Sequence, residues 1–202
     1  MAEGRIGVYG SAFNPPHIAH RIFLAEATWQ LGLDRVIVVP TGDPYHKVIE
    51  ADPGAEVRFR LAEAAFGDLP GVEVSPVEVE REGPSYTCDT LSAIADRDGK
   101  DEIHLLMGAD AAQGFAGWKS PDRILETARI GIALRPGFRR EEIESVFDSV
   151  AGGDRIEFFE MPQTDISSTL IRERVGAKRP FRHLVPTKVA QMIDNEDTYG
   201  IH

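Results

Sequence analysis

The feature that most constrains this chain is its alternation of short, nearly unbroken apolar runs with stretches of helical period. Residues 5–9 (RIGVY), 35–39 (RVIVV, closed by Pro40), 103–107 (IHLLM), 130–134 (IGIAL) and 156–159 (IEFF) read as strands. Residues 72–79 are β-like but broken at Pro76. Between them, Ile18, Ile22, Ala25 and Trp29 recur at helical spacing, as do Val57, Leu61, Ala64 and Ala65, and then Ile143, Val146, Phe147 and Val150. Thr87 is placed to cap a helix carrying Leu91, Ile94 and Ala95. A short helical stretch and Trp118 separate the strands at 103 and 130, and two helical pieces around 169–175 and 187–194 close the chain. Apolar runs without polar alternation suit strands covered on both faces. Strands separated by helices imply parallel pairing through helical crossovers. The expected fold is α/β: a doubly wound, Rossmann-like parallel sheet with helices on both faces. The 202 residues suit a single domain, 1–202, whose C-terminal part from about 165 is helical.

In such a sheet a ligand lies beyond the carboxyl ends of the strands, where strand order reverses. The informative loops are therefore 10–17, 40–47, 108–118 and 160–172. Charge narrows what they bind. The net charge of −11 argues against a nucleic acid or an anionic membrane as partner, since either selects a basic face. It leaves a small phosphate ligand open, because that needs only a local cluster of donors. No apolar run approaches the roughly 20 residues of a membrane-spanning helix, and no secretory pattern is visible, so the cytoplasm is the expected compartment. The lone cysteine, Cys88, stands beside Asp89 and reads as an inert packing residue.

The first of these loops runs Gly10-Ser11-Ala12-Phe13-Asn14-Pro15-Pro16-His17-Ile18-Ala19-His20. Its glycines are spaced wrongly for a G-x-G-x-x-G fingerprint, and the chain contains no Gly-Lys-Ser/Thr of a P-loop. The pattern still points to an anion. Gly10 and Ser11 permit close backbone approach, and the prolines stiffen the turn and start a helix. His17 and His20, three apart, share one helical face beside free amides of the helix N-terminus. A metal reading would need a third ligand, and no Glu is placed as in H-E-x-x-H. Near the other end, Asp165-Ile166-Ser167-Ser168-Thr169-Leu170-Ile171-Arg172 supplies hydroxyls at a helix cap. Arg172 lies one turn in, on the same side as Ser168, where its fork can hold phosphate oxygens.

Taken together, these two segments resemble the G-G-T-F-D-P-x-H-x-G-H and I-S-S-T-x-x-R segments of the HxGH nucleotidyltransferase superfamily. Here Ala12 stands for Thr, Asn14 for Asp and Ala19 for Gly. Pro40-Thr41-Gly42-Asp43-Pro44-Tyr45-His46-Lys47 resembles the P-x-x-x-P-P-H-K loop of nicotinate mononucleotide adenylyltransferases, and residues 83–91 resemble their P-S-Y-T-x-D-T-L segment. Gly108, Asp110 and Trp118 match a further arrangement of that family. The resemblance spans residues 5–175 in order. It implies that the two histidines contact the ATP phosphates and stabilise the transition state, and that the Ser-Ser-Thr segment with Arg172 grips the β- and γ-phosphates.

Carried over residue by residue, the resemblance implies ATP contacts from Gly10, Ser11, Ala12, Phe13, His17, His20, Gly108, Asp110, Ile166, Ser167, Ser168 and Arg172. It implies mononucleotide contacts from Lys47, Tyr86, Thr87 and Trp118. His17, His20, Arg172 and Lys47 are the expected catalytic set. The implied partners are ATP and nicotinate mononucleotide, with a homo-oligomer left open. Mg²⁺ is expected to ride on the ATP phosphates, since no carboxylate cluster marks a protein-built metal site. The rivals are another adenylyltransferase on this fold, such as phosphopantetheine adenylyltransferase, a cytidylyltransferase using CTP, and a non-catalytic nucleotide sensor.

Overall fold

The structure is a computed structural model that describes residues 4–44, 49–135, 137–150 and 153–200. Among the described residues six strands form one sheet: β1 (Arg5–Ser11), β2 (Arg35–Pro40), β3 (Val72–Val74), β4 (Glu102–Gly108), β5 (Arg129–Leu134) and β6 (Ile156–Glu160). Their order is β3-β2-β1-β4-β5-β6. β1 runs parallel to β4 with Tyr9 opposite Leu106, β4 to β5 with Gly108 opposite Ala133, and β5 to β6 with Leu134 opposite Glu160. The order steps outward one way from β1 and the other way from β4. Right-handed crossovers across that reversal put helices on both faces, as in a Rossmann-like sheet.

The central strands are as apolar as double coverage demands. Ile6 and Val8 of β1, Val36 to Val39 of β2, Ile103 and Leu105 to Met107 of β4, and Ile130, Ile132 and Ala133 of β5 are all buried. The helices are α1 (Ile18–Gln30), α2 (Ala55–Phe66), α3 (Thr87–Asp98), α4 (Ala109–Gln113), α5 (Pro121–Thr127), α6 (Arg140–Asp148), α7 (Ser168–Gly176) and α8 (Thr187–Glu196). Three sequence expectations need correction. β3 stops at Val74, because Pro76 has no N–H for a ladder and Glu80 N instead turns back to Pro76 O. In α1 the buried stripe is Ala19, Phe23, Leu24 and Ala27, whereas Trp29 is 79% exposed. No member of the Ile18-Ile22-Ala25-Trp29 row lies in that stripe: Ile18 and Ile22 are half-buried and Ala25 is exposed. α3 begins at Thr87 itself, with Tyr86 in the cap position and no side-chain cap bond.

The chain groups into two compact units. One comprises Met1–Gly10, Phe23–Ile37 and Tyr86–Gln163, the other Ser11–Ile22, Val38–Ser85 and Thr164–His202. In the first, a charged cluster surrounds His104, which is fully buried. Arg5 Nε donates to His104 Nε2 at 3.3 Å, Glu157 lies 3.3 Å from Nδ1, and Glu102 lies 3.1 Å from Nε2. Arg129 contacts both carboxylates. Burial first, then Arg5, holds the imidazole pKa below its usual 6.5, with the two glutamates opposing and Arg129 adding to the depression.

The unfolded chain therefore binds a proton at His104 where the folded one does not. The stability gained from the neutral ring is present above pH 6.5 and is lost as pH falls toward the lower folded value. Urea midpoints measured between pH 7.5 and 5 should fall for the native chain and change less for His104→Gln. Parallel curves would acquit His104.

Candidate active site

The loop after β1 belongs wholly to the second unit from Ser11 onward. β1 ends at Gly10 and Ser11, and Thr41 N donates to Ser11 O at 3.0 Å. Phe13 then takes a left-handed conformation (φ 50°) and buries its ring edge-on against Phe66 and His20, with centroids 5.3 and 5.2 Å away. Pro15 and Pro16 follow, and α1 starts at Ile18. The rings of His17 and His20 stack with centroids 3.7 Å apart and planes 20° from parallel. His17 N donates to His20 Nδ1 at 3.1 Å. His20 thus caps its own helix, and a neutral His20 ring carries its proton on Nε2. The first turn of α1 contains no acidic residue. The positive end of its dipole is not neutralised there.

The segment read at the other end of the sequence meets this loop directly. Ser168 Oγ donates to Pro15 O at 2.8 Å, and Arg172 Nη1 donates to Asn14 O at 2.8 Å. Arg172 Nη2 also donates to Thr169 Oγ1 at 3.3 Å, and Glu50 Oε2 lies 3.5 Å away. Ser167 caps α7 by accepting from Leu170 N at 3.1 Å, and Ile166 is half-buried just before it. The first turn of α7 is likewise free of acidic residues. Two helix N-termini and two imidazoles are therefore gathered by side-chain bonds between segments 153 and 158 residues apart. The expectation was a hydroxyl and a guanidinium presented to phosphate. In the structure both groups also hold the loop's carbonyls.

Sequence reading missed Arg58. It is fully buried, and it donates to Thr41 O, to Gly42 O at 3.0 Å and to Ala12 O at 3.2 Å, while its Nε meets Asp52 at 2.9 Å. A signal was available, since Arg58 precedes Leu61, Ala62 and Ala65 by three, four and seven residues and so occupies the buried face of α2. Gly42 is required beside it: a Cβ there would lie 2.1 Å from Glu78 O. Sequence reading also missed Tyr199, whose hydroxyl donates to Asn14 Oδ1 at 2.8 Å. No pattern in the sequence marks that tyrosine. Lys47 lies outside the described residues.

The remaining candidates belong to the first unit. Gly108 ends β4, and a Cβ on it would meet the Asp110 carboxylate at 2.5 Å, so glycine lets Asp110 fold back over the strand end. Asp110 is exposed in the first turn of α4. Lys119 Nζ stands 5.8 Å over the Tyr86 ring, and Arg123 reaches Asp89 and Ser92, so residues 86–92 lie beside the Trp118 loop. Thr87 is half-buried at the start of α3. Trp118 is half-buried against Phe115, less exposed than its loop-like neighbours suggested. Cys88 is buried, and burial first, then Asp89, pushes its thiol pKa up, which fits a packing role. Among the described residues, no group of three or more His, Cys, Asp or Glu side chains is placed to hold a metal ion.

A family model described as cytidylyltransferase-like matches residues 8–174. A probable nicotinate-nucleotide adenylyltransferase of Moorella thermoacetica is 36% identical over 199 residues, covering 97% of this chain and 92% of that one. The chain belongs to the nicotinate-nucleotide adenylyltransferases, within the cytidylyltransferase-like family. The Bacillus subtilis nicotinate-nucleotide adenylyltransferase is 32% identical, with 96% of this chain and 98% of that one covered. For the fold, the nicotinic acid mononucleotide adenylyltransferase of Plasmodium falciparum superimposes with a TM-score of 0.77 over 99% of both chains, at 14% identity. The matched region contains both motif segments that the structure joins.

Two substitutions test the framework of the loop. Arg58→Met should lower unfolding free energy by about 3–5 kcal/mol, since it strands Asp52 and three carbonyls. Ser167→Ala removes only a cap and should lower it by about 1 kcal/mol. Denaturant titration of both variants checks the ranking, and equal effects would contradict the clamp assigned to Arg58.

Proposed function

We propose that this chain transfers the adenylyl group of ATP to nicotinate mononucleotide, giving nicotinate adenine dinucleotide and pyrophosphate. The single observation that carries the reading is the joining of Ser168 and Arg172 to the loop bearing the stacked His17 and His20. That assembly collects donors of one sign beside two undamped helix N-termini, which is the requirement of a triphosphate. The attacking group, the 5′-phosphate of the mononucleotide, is already an anion. The protein therefore needs no nucleophile and no strong base, and its work is alignment and charge neutralisation.

In this reading Gly10, Ser11, Ala12 and Phe13 give close backbone approach to ATP, with Ile166, Ser167 and Ser168 beside them. Gly108 and Asp110 serve the ribose, the carboxylate accepting from its hydroxyls. His17, His20 and Arg172 neutralise the phosphates as the bond to pyrophosphate breaks. Lys47 meets the mononucleotide phosphate, and Tyr86, Thr87 and Trp118 take the pyridine, Trp118 by stacking and the start of α3 by its amides toward the carboxylate. The donors near the loop are N–H and hydroxyl groups, which suit phosphate oxygens and not a divalent cation. Mg²⁺ would accordingly be carried by the triphosphate and not by the protein, and would supply further neutralisation of charge on the pyrophosphate. Each unit is built from three chain segments interleaved in sequence with those of the other, so we treat 1–202 as one transferase domain. Among the described residues no helix is long and apolar enough to cross a membrane, and we place the activity in the cytoplasm.

Pyrophosphate release should be measured with ATP, Mg²⁺ and, in parallel, nicotinate mononucleotide, nicotinamide mononucleotide and phosphopantetheine. Release with the nicotinate form is expected. Release with phosphopantetheine alone would overturn the acceptor, and ATP binding without release would favour a sensor. His17→Ala and His20→Ala should each lower turnover by about 100- to 1,000-fold with folding kept. His20→Asn retains an acceptor for His17 N–H and separates catalytic loss from loss of the cap. Near-native turnover of His20→Asn would remove the imidazole from the mechanism.

A further inference from the structure

Asn14 is fixed on every polar atom of its side chain and on its carbonyl. Its Oδ1 accepts from Tyr199, its O accepts from Arg172, and its Nδ2 donates to Glu50 O at 2.9 Å and lies 3.5 Å from Ala51 O. The residue is 3% exposed. Both carbonyls it reaches belong to a turn just after Lys47 in sequence. Within that turn Ala51 sits at φ 46°, a left-handed conformation that alanine rarely adopts unless something holds it. Tyr199 is delivered by the last described residues: Asp197 turns left-handed at φ 50° to close α8, and the half-buried phenol two residues on meets Asn14.

The chemistry of this contact is selective. An amide can accept from a phenol and donate to a carbonyl at once. A carboxylate could accept from Tyr199 but would oppose Glu50 O with a second acceptor. We propose that Asn14 is a positioning residue: with Tyr199 holding its carbonyl oxygen, its amide nitrogen latches the turn after Lys47 to the histidine loop. The C-terminal residues thereby set the conformation of a segment that precedes them by about 150 positions in sequence. The consequence for substrate rests on the reading of Lys47 given above, whereas the latch itself does not.

Hydrogen exchange of the full chain, followed by mass spectrometry on a peptide covering 49–54, tests the latch without activity. Asn14→Asp should speed exchange there by about fivefold, the weight of one lost hydrogen bond. The apparent KM for nicotinate mononucleotide should rise by a similar factor, with kcat changed less than about twofold. Tyr199→Phe should act in the same direction, and its effect should vanish in an Asn14→Ala background because it works through Asn14. Unchanged exchange in Asn14→Asp would overturn the latch, as would additive effects of the Tyr199 and Asn14 changes. Faster exchange spread evenly over the chain with a lowered Tm would reduce Asn14 to a folding residue and overturn it too. Altered exchange at 49–54 with unaltered KM would leave the latch standing and contradict the role given to Lys47.

Discussion

Two hydrogen bonds to adjacent carbonyls, from Arg172 to Asn14 and from Ser168 to Pro15, are the interactions on which the candidate site depends. A loop rich in carbonyl oxygens is a poor host for phosphate, because each exposed oxygen repels the ligand. In this chain those oxygens are consumed by the protein. Arg172 and Ser168 take Asn14 and Pro15 from one side, while Arg58 takes Ala12, Thr41 and Gly42. With the acceptors occupied, the donors of the same loop, the helix amides and the imidazoles, set the sign of the field. A charged donor suits this task, since its bonds are about twice as strong as neutral ones. A cation as deep as Arg58 also persists only where several acceptors and a carboxylate compensate its burial.

Such a loop is held in conformations it would not choose alone. Phe13 has a positive φ, which for a bulky residue costs on the order of 1–3 kcal/mol. Its buried ring, wedged between Phe66 and His20, offsets that strain through apolar area removed from water. The same ring supports His20 edge-on, so the strained residue also orients a catalytic candidate. Stacking of His17 on His20 at 3.7 Å then leaves little rotational freedom to either ring. Preorganisation of this kind is what a reaction without a protein nucleophile requires, because positioning and fixed charge must do the whole work.

The sheet was legible in the sequence because five of its strands are nearly unbroken apolar runs, and the doubly covered ones among them, β1, β2, β4 and β5, can be little else. β3 was overextended because residues 77–79 have β-like composition, and only the backbone shows them turning after Pro76. The stripe of α1 was misplaced because Trp29 is large and apolar, yet it points to solvent while the smaller Ala19 and Ala27 are buried. Of the site, the two motif segments were legible as chemistry, but their contact was not: spacing along a chain does not say that Ser168 touches Pro15. Arg58 and Tyr199 escaped for different reasons. Arg58 left a trace in an otherwise apolar helix face. Tyr199 left none, since its role is created by a turn at Asp197 that no local pattern requires.

The departures from the family pattern acquire a physical meaning once the loop is seen. Ala12 takes part through its carbonyl, which Arg58 holds whatever side chain stands there. The methyl group of Ala19 is 4% exposed and belongs to the buried stripe of α1 with Phe23 and Leu24, so it fills core volume. Asn14 is the departure that changes bonding, because its amide donates where a carboxylate could not. None of the three alters the groups that give the loop its sign, which are Arg58 and Arg172 on the carbonyls and the imidazoles with the helix amides toward the ligand. A chain drifting from catalysis toward mere binding would be free to lose those groups first. Here Arg58 and Arg172 are bonded to the loop's carbonyls and the histidine rings stack on each other, while the Ala19 side chain lies in the core and the Asn14 amide meets the supporting turn.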